Sequence, residues 1–389
     1  MKVLLINHDS EVTGASGVLL ELVKWLKQKG YECFVIIPAN GLIEKKLNEL
    51  DIHYKVIKYV KWWMTEMDKT LSLREVNKKL IRRLFSLIIN TLLFITWTFR
   101  EKKNLNYDLI VTNTIVVPAG IFLKFLLKKP HIWYIHEYGY EDHELKFIFG
   151  RKISFYLMNK FTDIFLVNSK AVFDYYKKIF PESKLRLLYY GVDLNYYQAS
   201  ILFPNITKNK FTCAIVGRIV KNKGQEDAIL AVSELKKQGI DIDLWIVGEG
   251  DYNYKKYLKK LIRKHNIETN IKFLGRILPP FEIVKKADVC LMCSKSEAFG
   301  RVTIEYMKLG KPVIASNSGA NPELIKEEFN GFLYKTGDFK DLAEKIKYFY
   351  NNPEEIKRMG GNAQKFAIDN FNLNKFGNDF IKIAESLIK

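Results

Sequence analysis

The sequence predicts an α/β protein made of two doubly wound, Rossmann-like units in series. Short apolar runs alternate with longer amphipathic segments along the chain, which is the pattern of parallel strands joined by crossover helices. The alternation stops at residues 195–210 and then starts again. A chain of 389 residues is also too long for one hydrophobic core and suits two domains of ordinary size.

The first unit is predicted over residues 1–194. Its strands are expected at residues 2–7, 32–38, 108–113, 131–137 and 164–169, each an apolar run bounded by polar residues. A helix is expected between the first two strands, because Val18, Leu19, Leu22 and Leu26 recur at helical spacing. Residues 195–210 lack periodicity and are predicted to be a linker.

The second unit is predicted over residues 211–372. Its strands are expected at residues 211–217, 243–248, 271–275, 288–294 and 311–316, again separated by helical segments. A last helix, residues 373–389, follows this unit. We expect it to cross back and pack on the first unit.

The composition is that of a soluble globular protein, with 48% hydrophobic and 27% charged residues. The four cysteines lie at positions 33, 213, 290 and 293. They do not form a disulfide framework, which favours a reducing, cytoplasmic setting. Cys290 and Cys293 fall in a predicted buried strand without a second pair, so no zinc site is expected. The first residues show no signal peptide.

The formal net charge of +19 is compatible with several anionic partners. Nucleic acid would be one, but the sequence shows no groove-reading motif and no basic stripe interleaved with aromatic residues. An anionic lipid surface or an anionic small substrate suits the charge equally well. Because the motifs of nucleic-acid recognition are missing, we expect no nucleic acid partner.

Residues 84–99 form an apolar run between Arg82–Arg83 and the basic group Arg100, Lys102 and Lys103. Three interpretations are open: a helix at a membrane interface, an ordinary buried helix, and a membrane span. A span needs about 20 apolar residues, and this run is shorter and contains polar groups. If it binds a membrane, the contact is expected through Leu92, Leu93, Phe94 and Trp97.

Two possible ligand motifs are weak. No GxGxxG motif occurs, which argues against a dinucleotide oxidoreductase. Gly14 lies between a predicted strand and a predicted helix, where it suits either a phosphate or a plain tight turn. Asp241-Ile242-Asp243 precedes a strand, at the wrong end of the sheet for ligands. It is predicted to be a solvated turn, and no metal is expected.

Two stronger motifs each follow a predicted strand. In GRIVKNKG, residues 217–224, Arg218 and Lys223 are two cations suited to phosphate. In SEAFGRVTIE, residues 296–305, Gly300 precedes a helix whose free amides also suit phosphate. Glu297 and Glu305 suit the hydroxyls of two sugars. Together these residues outline a site for a nucleotide sugar.

With these motifs assembled, the chain resembles a family-4 glycosyltransferase of the GT-B fold, a retaining and metal-independent group. The resemblance rests on Glu297-x7-Glu305, GRIVKNKG, Tyr-Gly-Val-Asp at 190–193, TGASGVLLEL at 13–22 and Ile-His-Glu at 135–137. It covers nearly the whole chain. It implies two Rossmann-like domains that face each other across a cleft. The chain departs from the family pattern at Thr13, where Gly is common, at Tyr306, where a small residue is common, and in GANPE at 319–323.

The resemblance also implies residue roles. The expected catalytic residues are Arg218 and Lys223 on the diphosphate, Glu297 on the donor sugar, and His136 reaching that sugar from the first unit. Further contacts to the nucleotide sugar are expected from Gly14, Ala298, Phe299, Gly300, Arg301 and Glu305. Structural alternatives remain for two of these residues: His136 as a satisfied core histidine, and Glu305 as a solvated helix residue.

The implied reaction transfers a sugar from a nucleoside-diphosphate sugar to a saccharide, with a phosphate oxygen of the leaving group taking the acceptor's proton. A lipid-linked acceptor in surface polysaccharide assembly is expected from the family analogy and the apolar run. The protein would then lie at the cytoplasmic face of the membrane, bound peripherally to an anionic surface, and would need no cofactor. Two alternatives are a related nucleotide-sugar enzyme such as an epimerase, and a non-catalytic membrane-surface binding protein.

Overall fold

The computed structural model describes residues 1–12, 14–59, 61–64, 73–143, 146–194 and 206–388. Within these ranges the structure describes only the backbone of residues 64, 73–77, 79, 80, 83 and 143. The chain forms two compact units. Unit 1 is Met1–Gly191 with Leu373–Lys389, and unit 2 is Val192–Asn372. Most of the segment predicted to be a linker, residues 195–205, lies outside the described residues.

Unit 1 is a parallel sheet of seven strands in the order β3-β2-β1-β5-β6-β8-β9, with a separate antiparallel pair, β4 and β7. The strands are β1 (Lys2–Ile6), β2 (Glu32–Ile37), β3 (His53–Val56), β4 (Trp63–Met64), β5 (Leu109–Asn113), β6 (His131–Ile135), β7 (Lys146–Phe147), β8 (Ile164–Val167) and β9 (Leu185–Leu187). The central strands are buried on both faces, because helices cover both sides of a parallel sheet.

In the part of unit 1 that the structure describes, seven helices connect these strands. They are α1 (Gly14–Gln28), α2 (Leu42–Glu49), α3 (Leu73–Glu101), α4 (Ala119–Leu127), α5 (Tyr140–His143), α6 (Gly150–Phe161) and α7 (Lys170–Tyr176). In α1 the predicted apolar face is buried, including Val18, Leu19, Leu22 and Leu26. The apolar run 84–99 lies within α3, which is much longer than the run itself.

Unit 2 is a parallel sheet of six strands in the order β12-β11-β10-β13-β14-β15. The strands are β10 (Thr212–Val216), β11 (Asp243–Val247), β12 (Ile271–Gly275), β13 (Val289–Met292), β14 (Val313–Ser316) and β15 (Gly331–Tyr334). The helices are α8 (Gln225–Lys237), α9 (Tyr252–Lys264), α10 (Phe281–Lys286), α11 (Arg301–Lys308), α12 (Asn321–Leu324), α13 (Phe339–Asn351) and α14 (Pro353–Asn370). Chain order reverses between β10 and β13, and the carboxyl ends of these two neighbours form the switch point where α/β proteins bind ligands.

The last helix, α15 (Leu373–Ile388), belongs to unit 1. It packs against α1, and the Trp25 indole donates a hydrogen bond to Asn374 Oδ1 at 2.9 Å. A Cβ added at Gly377 would lie 2.2 Å from the Trp25 ring, so the two helices meet closely at this glycine. The return of the chain to the first unit is therefore present in the structure.

Two parallel-sheet, Rossmann-like units are thus confirmed as the fold class, with all ten predicted strands in place. Three further parallel strands, β3, β9 and β15, were not predicted. Each lies at an edge of its sheet and has only three or four residues.

Candidate functional site

The predicted phosphate loop of unit 2 begins where β10 ends. The Arg218 side chain is exposed, and its carbonyl accepts a hydrogen bond from Gln225 Nε2 at 2.8 Å. Lys223 closes a 3-10 turn, and Gly224 follows in a left-handed conformation with φ +66°. A Cβ at Gly224 would lie 2.0 Å from the carbonyl oxygen of Cys293. The glycine therefore lets this loop pack directly on the chain that leaves β13.

The two predicted motifs meet through an ion pair. Lys223 Nζ lies 2.7 Å from Glu297 Oε2, and the side chains are 32% and 13% exposed. The backbone supports the same contact, because the Lys295 N–H donates to the Asn222 carbonyl at 2.8 Å. Since β10 and β13 are parallel neighbours, both motifs leave the sheet at the same edge. The structure therefore brings together Lys223 and Glu297, which are far apart in sequence.

Helix α11 starts directly beside Glu297. Gly300 precedes it with φ +90°, a left-handed conformation that other residues rarely adopt. Among the residues that the structure describes, no side chain caps this helix start, and its first turn has no acidic residue. The first amides of a helix have no partner within the helix and carry a partial positive charge. This end of α11 thus suits an anion, as its sequence predicted. Ala298 and Phe299, which lead into it, are buried.

Glu305 lies one helical turn into α11, paired with Arg301. Arg301 Nε is 3.1 Å from Glu305 Oε1, and both side chains are only 10% exposed. The alternative of Glu305 as a solvated helix residue is therefore wrong. A carboxylate held this deep is stable as an anion only next to a cation or other donors, and Arg301 supplies one.

Tyr306, the residue that departs from the family pattern, connects α11 to β10. Its side chain is 1% exposed, and its hydroxyl accepts a hydrogen bond from the Val216 N–H at 2.6 Å. Val216 is the last residue of β10, just before the loop that carries Arg218. Burial raises the pKa of the Tyr306 hydroxyl well above its usual value. The large side chain thus supplies a neutral acceptor that holds the end of the strand.

A third loop, after β14, holds the Glu297 segment from the other side. The Ser316 and Ser318 hydroxyls donate to the Ser294 carbonyl at 2.5 and 2.9 Å. The Ala320 N–H donates to the Glu297 carbonyl at 2.8 Å. No role for these serines was predicted from the sequence. The only signal for them is a Ser-Asn-Ser-Gly turn directly after a buried strand.

In unit 1, His136 lies just after β6 and is 8% exposed. Its Nε2 donates to Asn113 Oδ1 at 2.5 Å, and its Nδ1 accepts a hydrogen bond from the Tyr190 hydroxyl. Burial, with a smaller effect from the charge of His8, lowers the pKa of His136 well below its usual value. The imidazole is therefore neutral, with both ring nitrogens used inside unit 1, as expected of a satisfied core histidine. A role at a donor sugar requires one of these bonds to open, and it stays a prediction.

Glu137, next to His136, is part of the same buried framework. Its carboxylate accepts hydrogen bonds from the Ile115 N–H at 2.9 Å and from the His136 N–H at 3.0 Å. Burial raises the pKa of Glu137 to about 8, although both hydrogen bonds act in the opposite direction. The side chain thereby joins the ends of β5 and β6.

Gly14 is the first residue of α1 and is exposed, with open space where a Cβ would lie. This geometry leaves room for a ligand and also suits a plain turn, so both interpretations stay open. Thr13, the preceding departure from the family pattern, lies outside the described residues.

The Asp241–Asp243 motif lies at the amino end of β11, as predicted, but it is not simply solvated. Lys210 Nζ lies 2.7 Å from Asp241 and 3.3 Å from Asp243, and Lys272 pairs with Asp243 at 3.1 Å. Asp243 is buried, so the expectation of a solvated turn is wrong for this residue. In the part of the chain that the structure describes, no group of three or more His, Cys, Asp or Glu side chains could hold a metal ion. All four cysteines are free and buried.

Two family models together match most of the chain. The model for Glycosyltransferase Family 4 matches residues 12–196, and the model for Glycosyl transferases group 1 matches residues 200–366. An uncharacterized glycosyltransferase of Methanocaldococcus jannaschii is 28% identical over 311 residues, which cover 75% of this chain and 78% of the relative. The capsular polysaccharide biosynthesis glycosyltransferase CapM of Staphylococcus aureus is 28% identical over 195 residues, 47% of this chain and 50% of the relative.

Solved structures show the same fold. The crystal structure of Anabaena HepE in complex with UDP-glucose superposes with a TM-score of 0.78 at 22% identity and covers 100% of both chains. The fold, the two family matches and the relatives agree with one another. The chain is a GT-B glycosyltransferase, with a family 4 domain followed by a group 1 domain.

Proposed function

We propose that this glycosyltransferase moves a sugar from a nucleoside-diphosphate sugar to a saccharide acceptor, with retention at the anomeric carbon and without a metal. The observation that carries the proposal is a pair of cation–carboxylate contacts in unit 2, Lys223–Glu297 and Arg301–Glu305, on either side of the start of α11. Phosphate oxygens match the cations and the helix amides, and sugar hydroxyls match the carboxylates.

The diphosphate is assigned to Arg218, Lys223 and the amides around Gly300. Lys223 is already held at 2.7 Å from Glu297, so its charge is in place before the donor binds. Preorganised charges of this kind stabilise a developing anion without reorganisation at the moment of reaction. We also assign Ala298, Phe299 and Arg301, which surround this helix start, to the donor site.

The two carboxylates are assigned to two different sugars. Glu297 would accept hydrogen bonds from the transferred sugar and Glu305 from the ribose, because a carboxylate can accept from two neighbouring hydroxyls. In unit 1, Gly14 is proposed to approach the phosphates and His136 the donor sugar. For His136 to contact the sugar, one of its hydrogen bonds, to Asn113 or to Tyr190, must open.

In the proposed reaction the bond between the anomeric carbon and the leaving phosphate oxygen breaks, and a bond from the acceptor oxygen to the same face of that carbon forms. The acceptor's proton passes to an oxygen of the departing diphosphate. No protein nucleophile is needed. The protein's contribution is the stabilisation of the leaving group's charge by Arg218, Lys223 and the α11 amides.

The acceptor is proposed to be a lipid-linked saccharide in surface polysaccharide assembly at the cytoplasmic side of a membrane. Support comes from the name of the CapM relative, which refers to capsular polysaccharide biosynthesis. A nucleotide-sugar donor is supported by HepE, whose structure was solved with UDP-glucose. A related enzyme such as an epimerase would differ in a simple way, because it would change the donor without any acceptor.

Thermal unfolding in the presence of a panel of nucleotide sugars tests the proposal. A donor at about 100 times its dissociation constant should stabilise the folded protein by about 2.7 kcal/mol. The same donor should stabilise a Lys223→Met variant less, because that variant lacks one phosphate-binding charge. If no nucleotide sugar stabilises the wild-type protein, or if the variant responds equally, the donor site is assigned wrongly.

A further inference from the structure

The surface of α3 carries a row of exposed apolar side chains. Ile81, Phe85, Ile88, Leu92 and Phe99 are 65%, 65%, 57%, 58% and 58% exposed. They follow one another at intervals of four, three, four and seven residues, so they share one face of the helix. We call these five residues the α3 stripe. Soluble monomers rarely leave so many neighbouring large apolar side chains in water.

The opposite face of α3 packs on the rest of unit 1. Leu87, Asn90, Phe94 and Thr98 are buried there, and Phe94 lies edge-on to Tyr59 at 6.0 Å. The segment Leu84–Glu101 is long and apolar enough to cross a membrane by length and composition alone. Because one face of α3 packs on α4 and Tyr59, we infer that α3 does not cross a membrane. An ordinary buried helix is also wrong, since the α3 stripe is exposed.

Neighbouring helices carry further exposed apolar side chains. Helix α4 packs against both α3 and α6. It carries Phe125, which is 66% exposed, and α6 carries Ile153 and Tyr156, which are 55% and 62% exposed. This part of the surface was not predicted from the sequence, where only residues 84–99 stood out.

The charges around the α3 stripe are mostly basic. No Asp or Glu occurs between Glu75 and Glu101. Lys78 and Arg82 lie near one end of the stripe and Arg100 at the other, all three exposed. The side chain of Arg83 lies outside the description. On α6, the exposed Arg151 and Lys152 directly precede Ile153. An apolar stripe with a mostly basic surround, in which Glu101 is an acidic exception at one end, matches an anionic lipid surface, because apolar side chains enter the acyl boundary and cations meet the headgroups.

We propose that the α3 stripe, together with Phe125, Ile153 and Tyr156, docks unit 1 on an anionic membrane surface. Helix α3 lies in the plane of the interface and does not cross it. None of these residues belongs to the donor site, so a failure of membrane docking would leave the assignment of the donor site unchanged.

Flotation of the full chain with lipid vesicles tests the proposal. Binding to vesicles of phosphatidylcholine with phosphatidylglycerol should exceed binding to phosphatidylcholine alone and should weaken as salt rises, because salt screens exposed charges. The triple variant Phe85→Ser, Leu92→Ser, Phe99→Ser should bind at least about tenfold more weakly, since it removes three large apolar groups from the interface. Its thermal transition should be preserved, because all three side chains are exposed.

A matched control is the double variant Tyr252→Ser, Ile368→Ser, which removes apolar side chains that are 76% and 52% exposed in unit 2. It should bind vesicles like the wild type. If the triple variant fails to fold, the charge reversal Arg82→Glu, Arg100→Glu provides a second test and should abolish the preference for anionic vesicles. Equal binding to neutral and anionic vesicles overturns the proposal. So does a wild type that forms dimers but binds no vesicles, because the stripe would then be a protein interface.

Discussion

Replacing Tyr306 with phenylalanine should remove one hydrogen bond and little else. The hydroxyl accepts from the Val216 N–H at 2.6 Å, and the side chain is 1% exposed. Phenylalanine fills nearly the same volume, so the main change is a backbone donor left without its acceptor. Leaving such a group unsatisfied in a protein interior costs about 1–3 kcal/mol. We expect unit 2 to lose stability by this amount.

The effect should be localised at the end of β10, next to the loop that carries Arg218. Amide hydrogen exchange, followed by mass spectrometry, should therefore show faster exchange at Val216 and in the residues after it. Denaturant unfolding measures the global loss. Because the chain has two units, the unfolding curve is analysed for separate transitions before a free energy is taken from it.

The matched control is Tyr334→Phe. Tyr334 is also 1% exposed and lies in unit 2, but its hydroxyl contacts the Asp227 carboxylate at 3.2 Å instead of a backbone amide. This variant should leave exchange at Val216 unchanged. If Tyr306→Phe also leaves the protection of Val216 and the unfolding free energy unchanged, Tyr306 does not hold the strand end, and our explanation of this departure from the family pattern is refuted.

Four further results are expected. Lys223→Met should lower turnover by a factor of about 10²–10³. Lys221→Met, which changes an exposed lysine in the same 3-10 turn, should change turnover little. Equal losses for the two variants in steady-state assays would argue against a specific role of the Lys223 charge. Glu305→Gln should mainly raise the KM for the donor, because a ribose contact is present in both ground and transition states; an unchanged KM in a folded variant would contradict the ribose assignment. Activity should survive exhaustive chelation with EDTA, and loss that magnesium or manganese restores would reopen a metal-dependent mechanism. Finally, burial lowers the pKa of His131 to about 4. The contribution of His131 to stability is therefore present above its unfolded pKa of about 6.5 and is lost as pH falls towards 4. A His131→Gln variant should lose less stability than the wild type over this pH range in denaturation experiments, and an identical loss would contradict this origin.

The central strands were predictable from the sequence because parallel strands covered on both faces are continuous apolar runs. Three of the four edge strands, β3, β9 and β15, were not. The four residues of β3, His53–Val56, are all at least partly exposed, so they lack the apolar run by which the central strands were recognised. Strand pairing at an edge depends on the neighbouring strand, which the local sequence does not contain.

The meeting of Lys223 and Glu297 could be predicted because both follow strands whose carboxyl ends share one edge of the sheet. The partners of His136 and Tyr306 could not. Tyr190 reaches His136 across 54 residues, and Tyr306 reaches Val216 across 90, and no local pattern indicates either contact.

In α3, the sequence prediction grouped Phe94 with Leu92 and Leu93 as membrane contacts, and for Phe94 this was wrong. Phe94 is 1% exposed and packs on Tyr59, whereas Leu92 and Leu93 are each 58% exposed. Helical periodicity indicates that Phe94 lies on a different face of α3 from Leu92, because Phe94 shares its face with Leu87, Asn90 and Thr98. Mutations meant to release the protein from a membrane should therefore spare Phe94.

The most direct test of the central claim is release of nucleoside diphosphate from a nucleotide sugar by the purified full chain. The donor is chosen as the one that stabilises the protein most, and slow release is expected even without an acceptor, because water can replace the acceptor hydroxyl. We predict that the wild type releases the diphosphate and that the double variant Lys223→Met, Glu305→Gln, checked for folding, does not do so above background. Release by the double variant at the wild-type rate would contradict the assignment of the donor site to the start of α11 in unit 2.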